Sequence, residues 1–236
     1  MTREKKILGG IGITLAGATF LTRFPLRSHT LFEFDSINFA VALKRFDLGQ
    51  VTPQVPGYIL HVLLARFLFL FTKDQNLAYI WLSIILSIGS VLIFWRAAAA
   101  LRGERVGIVA ALLWLTTPLF WLHGAINAIY IEEAFYTSAI LYCGIKWIRN
   151  EKLTWEVILY GVSLSLATGA RQTSILFFLP ATIVLILRRR PSKSIMIWSI
   201  VAFVLVTSAW VFELLRESGG LSNYLYWAKA ESNFKT

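Results

Sequence analysis

The sequence predicts an all-α polytopic membrane protein, and three observations carry that expectation. Apolar runs near twenty residues recur along the whole chain, the length a helix needs to cross a bilayer core. Hydrophobic residues make up 57% of the 236 positions and charged residues only 15%, more apolar surface than a soluble domain of this size can bury. Basic residues fall in short clusters between the apolar runs, as the positive-inside rule produces. That distribution also removes the nucleic-acid reading that a net charge of +10 invites, because no soluble face collects the charge. The single cysteine, Cys143, lies inside an apolar run. It excludes an internal disulfide framework or a cysteine metal site and reads as a small buried hydrophobe.

Taken in order, about seven transmembrane helices are predicted, over residues 7–24, 77–95, 106–122, 131–147, 155–169, 173–187 and 195–215. The first run imitates a signal peptide at Ala16-Gly17-Ala18, but it continues past that point and reads as an uncleaved helix. Gly9, Gly10 and Gly12 lie within it, which makes them helix-packing residues and not a phosphate loop. A long first outer loop, residues 25–76, follows. It is expected to carry a short helix over 35–46 and a second apolar segment over 58–71. Fourteen residues rise about 21 Å against a core of about 30 Å, and this segment also holds His61 and Arg66. It is therefore placed flat in the interface. Charge supports the placement. With 58–71 flat, the clusters Arg3/Lys5/Lys6, Arg96/Arg102/Arg105, Lys146/Arg149/Lys152 and Arg188/Arg189/Arg190/Lys193 share one side. With it spanning, the last three move away from the first. The N-terminus is then cytoplasmic, and the first loop, the 123–133 turn and the C-terminal tail face outward. The same argument divides 155–187 into two short passes, with a break at 168–172 that puts Arg171 at the outer tip. Residues 1–220 form one transmembrane module. The tail, 221–236, reads as the point where a longer chain is cut.

The residues with chemistry to offer gather at the outer side. Asp35 sits at the lip of the first loop. As a helix N-cap it needs no further explanation; as a carboxylate half-buried among Phe32, Phe34 and Phe39 it suits a general base. Glu33 is its rival for the same task. Glu132 and Glu133 form a second acidic site at the mouth of the fourth predicted span. Adjacent helical residues point about 100° apart, so at most one faces directly inward. Both also suit a helix N-terminus facing water. Arg171 opposes the positive-inside trend and needs an anionic partner, either a protein carboxylate or a phosphate held by the guanidinium fork. His61, Arg66 and Lys73 read mainly as headgroup-reaching side chains. His29, His61 and His123 lack metal-ligand spacing, and no nucleophile elbow, P-loop or zincin motif is present.

In this order and topology, several stretches resemble the GT-C superfamily of membrane glycosyltransferases, near the protein O-mannosyltransferase and aminoarabinose-transferase branch. They are FEFDSINFAVALKRFD, QVPGYILHVLLARF, LLWLTTPLFWLHG, IYIEEAF and SLATGARQTSILFFLP, and together they cover about residues 1–220. The resemblance implies a polyprenyl-phosphate-sugar donor and inverting transfer to a lipid, glycan or protein acceptor on the outward side. It implies that Asp35, with Glu33 behind it, acts as base, that Glu132 or Glu133 is the second acid, and that Arg171, with Arg66 and Lys73 nearby, contacts the donor phosphate. It implies an integral protein of a bacterial or archaeal plasma membrane. No cofactor is implied firmly, and a divalent metal is left open. Two other classes stand beside this one. A non-catalytic relative of the same fold would bind polyprenyl lipid or a partner protein. A transporter would carry ionisable groups near mid-membrane, where this sequence has few.

Overall fold

The computed structural model describes residues 3–150 and 155–235. Lys152 of the third basic cluster and Thr236 at the end of the tail lie outside them, as does the side chain of Arg3. Among the described residues the chain is all-α, with eleven α-helices and one 3-10 turn. In chain order they are α1 Arg3–Arg23, α2 Phe34–Ala42, the turn Leu48–Gln50, α3 Ile59–Thr72, α4 Gln75–Arg102, α5 Glu104–Thr116 and α6 Pro118–His123. There follow α7 Tyr130–Arg149, α8 Trp155–Ala170, α9 Ser174–Arg188, α10 Lys193–Glu217 and α11 Leu221–Lys235. Two of these, α4 and α10, are both long and apolar enough to cross a membrane, and α3 and α9 are apolar but shorter.

The boundaries follow from local chemistry. Asp74 opens α4 by accepting a hydrogen bond from Leu77 N–H at 2.7 Å, and Ser192 opens α10 through Ile195 N–H at 3.4 Å. Gly103, at φ 89°, turns the chain between α4 and α5 in a conformation that favours glycine. The expected continuous helix over 106–122 is corrected: it breaks at Thr117, and Pro118 starts α6. Proline has no N–H for a helix interior but suits a first-turn position. The expected helix over 35–46 is shorter, Phe34–Ala42. Its carbonyls at Ala42 and Leu43 accept from the Arg66 guanidinium at 3.0 and 3.1 Å, which closes the helix there. The break expected near Arg171 is present between α8 and α9. The tail is helical as α11, where the sequence predicts no element.

The helices pack as a bundle. α4 lies against α1, α5 and α7; α7 lies against α8; α8 lies against α9 and α10. One core collects Leu15, Phe39, Val62, Tyr79, Leu82, Trp95, Leu115 and Phe120. A second collects Tyr136, Cys143, Trp147, Val157, Tyr160, Leu164 and Leu185, so Cys143 packs as the hydrophobe expected. Close crossings use small residues. A Cβ on Gly161 of α8 would stand 2.8 Å from the Ser199 carbonyl of α10, and one on Gly107 of α5 would stand 2.9 Å from that of Trp95 on α4. The first-helix glycines do less than expected. Only Gly12 meets a neighbour, Trp95, while Gly9 and Gly10 face open space.

The bundle has two chemically distinct ends. At one, Arg96 pairs with Glu104 at 2.8 Å, Arg149 donates to the carbonyls of Ala100 and Leu101, and Arg189 donates to the Asn150 carbonyl at 2.7 Å. The basic clusters therefore gather on each other and close the α4–α5, α7–α8 and α9–α10 turns. At the opposite end lie α2, α3, α6, the 124–129 turn and α11. There α3 packs against α4, α8 and α10. Gly57, just before it, abuts Leu214, and Arg66 bonds Glu217 at 2.9 Å.

Candidate active site at the polar end of the bundle

The first outer loop supplies the floor of the site. Glu33 occupies the N-cap position of α2, and its N–H donates to Ser36 Oγ at 3.3 Å. Asp35, the residue expected at that cap, is instead inside the first turn. A carboxylate there suits the helix dipole. Ser36 Oγ donates to the Asn127 carbonyl at 2.7 Å, and Asn127 Nδ2 returns a bond to the Ser36 carbonyl at 3.1 Å. This reciprocal link sews α2 to the turn that precedes α7. Glu33 and Asp35 are both half-buried at this edge, beside exposed Phe32 and Phe34.

Downstream, residues 47–58 fold on themselves. Asp47 Oδ1 accepts from Gly49 and Gln50 N–H at 3.1 and 3.3 Å, and Asp47 and Thr52 exchange backbone hydrogen bonds. Val51, Gly57 and Tyr58 all have positive φ. For a β-branched valine at φ 59° that is a strained backbone.

The two glutamates that start α7 part company, as their 100° separation requires. Glu133 turns to the rim, where its Oε1 accepts from Arg171 Nη1 at 2.9 Å. Glu132 turns inward and shares a hydrogen bond with His61 Nδ1 at 3.0 Å. The side chains of His61 and Glu132 are 1% and 0% exposed. This corrects the reading of His61 as a headgroup-reaching side chain. It sits in an aromatic cage, its ring centroid 4.7 Å from Phe39 and 4.8 Å from Tyr79. A sequence cannot show a partner 71 positions away. Nor did its neighbours mark it: Val62 and Ala65 are buried and Leu64, Phe67, Leu70 and Phe71 are exposed, yet all are apolar.

Arg171 lies between α8 and α9, with its side chain 43% exposed. Its hydrogen bond to Glu133 holds the guanidinium more firmly charged than usual, and the neighbouring Tyr58 and Tyr130 phenols act in the same direction. The adjacent Gln172 donates to Tyr224 Oη of α11 at 3.1 Å. His123 stacks on Tyr130 with centroids 4.5 Å apart. Burial pushes the His123 imidazole below its ordinary 6.5, and the nearby Glu33 carboxylate opposes that only in part. The Arg66 guanidinium is committed to the end of α2 and to Glu217. Lys73 is exposed at the C-cap of α3.

The structure therefore brings Glu33, His123, Tyr130, Tyr58, Glu133 and Arg171 to one rim, with Asp35 on the adjoining first turn of α2. Beside the rim opens a cavity of about 430 Å³, walled by Trp114, Phe120, His123 and Tyr130 with the Thr117 hydroxyl. A second residue missed in the sequence is Arg23, fully buried at the end of α1. It donates to the Leu115 carbonyl at 2.8 Å, its guanidinium 5.3 Å from the Phe120 ring centre. Among the described residues no group of three or more His, Cys, Asp or Glu side chains is arranged to hold a metal ion.

Compared with known proteins, residues 52–212 match the family model described as dolichyl-phosphate-mannose-protein mannosyltransferase. The match takes in His61, Arg66, Lys73, Glu132, Glu133 and Arg171 and begins after Glu33 and Asp35. No curated protein and no solved structure matches the chain.

Proposed function

The chain belongs to the dolichyl-phosphate-mannose-protein mannosyltransferase family, a GT-C family, and from that premise we propose that it transfers a sugar from a polyprenyl-phosphate donor to an acceptor at the polar end of its bundle. The observation that carries the proposal is the rim itself. A fixed guanidinium, Arg171, stands beside carboxylates and phenols at the end of an apolar bundle. A donor with a lipid tail and an anionic head presents that pairing of chemistries.

In this reading the acceptor hydroxyl gives its proton to the Asp35 carboxylate, with Glu33 as the alternative base. The acceptor oxygen forms a bond to the sugar's anomeric carbon. The bond from that carbon to the phosphate oxygen breaks with inversion, and polyprenyl phosphate leaves with the electron pair. Negative charge grows on the leaving phosphate, so a cation fixed beforehand stabilises the transition state more than the ground state. Arg171 takes that role by extending its fork to the phosphate while Glu133 holds it in place. Lys73, exposed at the C-cap of α3, adds positive charge to the same outer segment. Arg66, with Nε and Nη2 engaged, contributes positive potential. The aromatic-walled cavity would seat the sugar, whose C–H faces pack on rings such as Trp114 and Tyr130.

Seven crossings, the N-terminus in the cytoplasm and the site outward in a bacterial or archaeal membrane complete the proposal. Its support is the segregation of the basic clusters to the end opposite the rim. The deciding experiment offers purified protein a panel of radiolabelled polyprenyl-phosphate sugars, mannose first, with candidate acceptors. Release of lipid phosphate from one donor is expected. No release from any of them, with the protein folded, would leave the second reading, a lipid-binding relative without activity.

A further inference from the structure

We propose that the buried His61–Glu132 pair is a positioning device: it registers α3 on the first turn of α7 and thereby aims Glu133 at Arg171. The registration is a claim about the fold, and its consequence for transfer rests on the function proposed above.

Both helices begin without an ordinary cap. The N-cap residues Tyr58 of α3 and Ile129 of α7 make no side-chain capping hydrogen bond. Tyr58 is moreover in the left-handed region at φ 42°. Uncapped first turns fray, because their leading N–H groups lack partners. Here each helix offers its third residue to the other: His61 from α3 and Glu132 from α7, joined at 3.0 Å. A carboxylate at this place also faces two helix N-termini, whose dipoles favour negative charge. Between the two helices the pair has no substitute: His61 Nε2 is buried without a partner, and the second group that Glu132 meets, the Tyr136 phenol, belongs to α7 itself. Phe39 and Tyr79 close over the imidazole and prevent water from replacing the bond.

Fixing Glu132 fixes its neighbour. With about 100° between successive residues, a first turn held by an inward Glu132 must present Glu133 to the rim. Glu133 is the one protein carboxylate hydrogen-bonded to Arg171 among the described residues. His61 therefore acts on Arg171 through one helical turn and touches no substrate itself.

Two amides test this. An asparagine amide occupies the place of an imidazole Nδ1, and a glutamine amide that of Nε2. His61→Asn retains a donor toward Glu132, and His61→Gln moves it away. The full-length proteins are treated with phenylglyoxal, and the modification rate of Arg171 is read by mass spectrometry. His61→Asn should stay within about twofold of wild type. His61→Gln should expose Arg171 and raise its rate by about tenfold, the scale of losing one hydrogen bond to a charged group. Donor KM should follow the same order, with kcat changing less. Should His61→Gln not accumulate, Glu132→Met removes the acceptor at similar volume and should behave alike. Equal Arg171 rates in the two amide variants, or an Arg171 rate in Glu132→Met no different from wild type, would overturn the proposal. A rise in Arg171 modification with donor KM unchanged would uphold the positioning and remove Arg171 from the donor site.

Discussion

Arg171 is held by one hydrogen bond to Glu133 at a half-exposed rim, and that geometry separates its two uses. An exposed ion pair contributes about 0–1 kcal/mol to folding, whereas removing a charged hydrogen bond to a phosphate costs about 1.5–3 kcal/mol. Arg171→Ala should therefore leave thermal stability nearly unchanged and weaken donor binding by the larger amount. Arg171→Lys should recover part of the affinity, since it keeps the charge and loses the fork. If instead Arg171→Ala lowers the melting temperature sharply, adding Glu133→Gln restores it and donor affinity never moves, Arg171 is a structural partner only. Asp35→Asn should abolish transfer with folding intact, because the amide keeps the size but accepts no proton; wild-type turnover would pass the base role to Glu33. His123 adds a pH effect. Its folded pKa lies below 6.5, so the unfolded chain binds more protons in the window beneath that value. Stability should fall as pH drops through that window, and His123→Asn should flatten the decline. Glu33, Asp35, Glu133 and Arg171 were legible in the sequence because charge in an apolar chain demands a reason. His61 and Arg23 were not, since their partners are Glu132 and the Leu115 carbonyl, far along the chain.

Helix positions were the most legible feature, for a physical reason: apolar runs flanked by Asp74, Gly103 and Ser192 carry their own start and stop signals, whereas the break at Pro118 was passed over because the run stays apolar on both sides of it. The helical tail carried none, because α11 has no apolar run of its own. It rests on the rest of the fold, Trp227 against Gly49 and Tyr224 against Gln172. The crossing of α8 and α10 was equally hidden, since it depends on which small residues meet. Gly161 faces the Ser199 backbone, and Ser199 Oγ donates to the Val157 carbonyl at 2.8 Å. A methyl group at Gly161 meets the Ser199 hydroxyl at 2.7 Å and the Ser199 carbonyl at 2.8 Å, and the carbonyl is backbone that cannot swing aside. Gly161→Ala should cost about 1–3 kcal/mol by overpacking, read as a lowered melting temperature of the purified protein. Gly9→Ala, which meets open space on α1, should cost nothing and should gain slightly in helix propensity. Equal behaviour of the two variants would mean that α8 and α10 do not approach as closely as their packing indicates.

At the scale of the molecule, the opposed ends make a claim about sidedness that needs no substrate. Lys73 stands with α3 and the rim, and Arg102 stands with the basic clusters at the other end. The length of α4 between them, 28 residues, spans about 42 Å as a helix, more than a bilayer's apolar core. If α3 lies flat, one crossing separates the two positions and the N-terminus shares the side of Arg102. If α3 itself crossed, the basic clusters after it would face outward, against the sign of charge that keeps such clusters in the cytoplasm. The measurement uses intact cells and an impermeant thiol reagent. Cys143 is replaced by alanine, a small exchange at a buried site, and one cysteine is placed at Lys73 or at Arg102. The Lys73 position should label from outside, and the Arg102 position should label only after the membrane is opened. A cysteine near Lys5 should behave like the one at Arg102, which ties the N-terminus to the same side. Labelling of Arg102 but not Lys73 in intact cells would mean that α3 crosses, or, if the Lys5 position labels from outside as well, that the molecule is inverted. The rim of Arg171 and Glu133 would then face the cytoplasm, and the outward acceptor proposed for it would have to be abandoned.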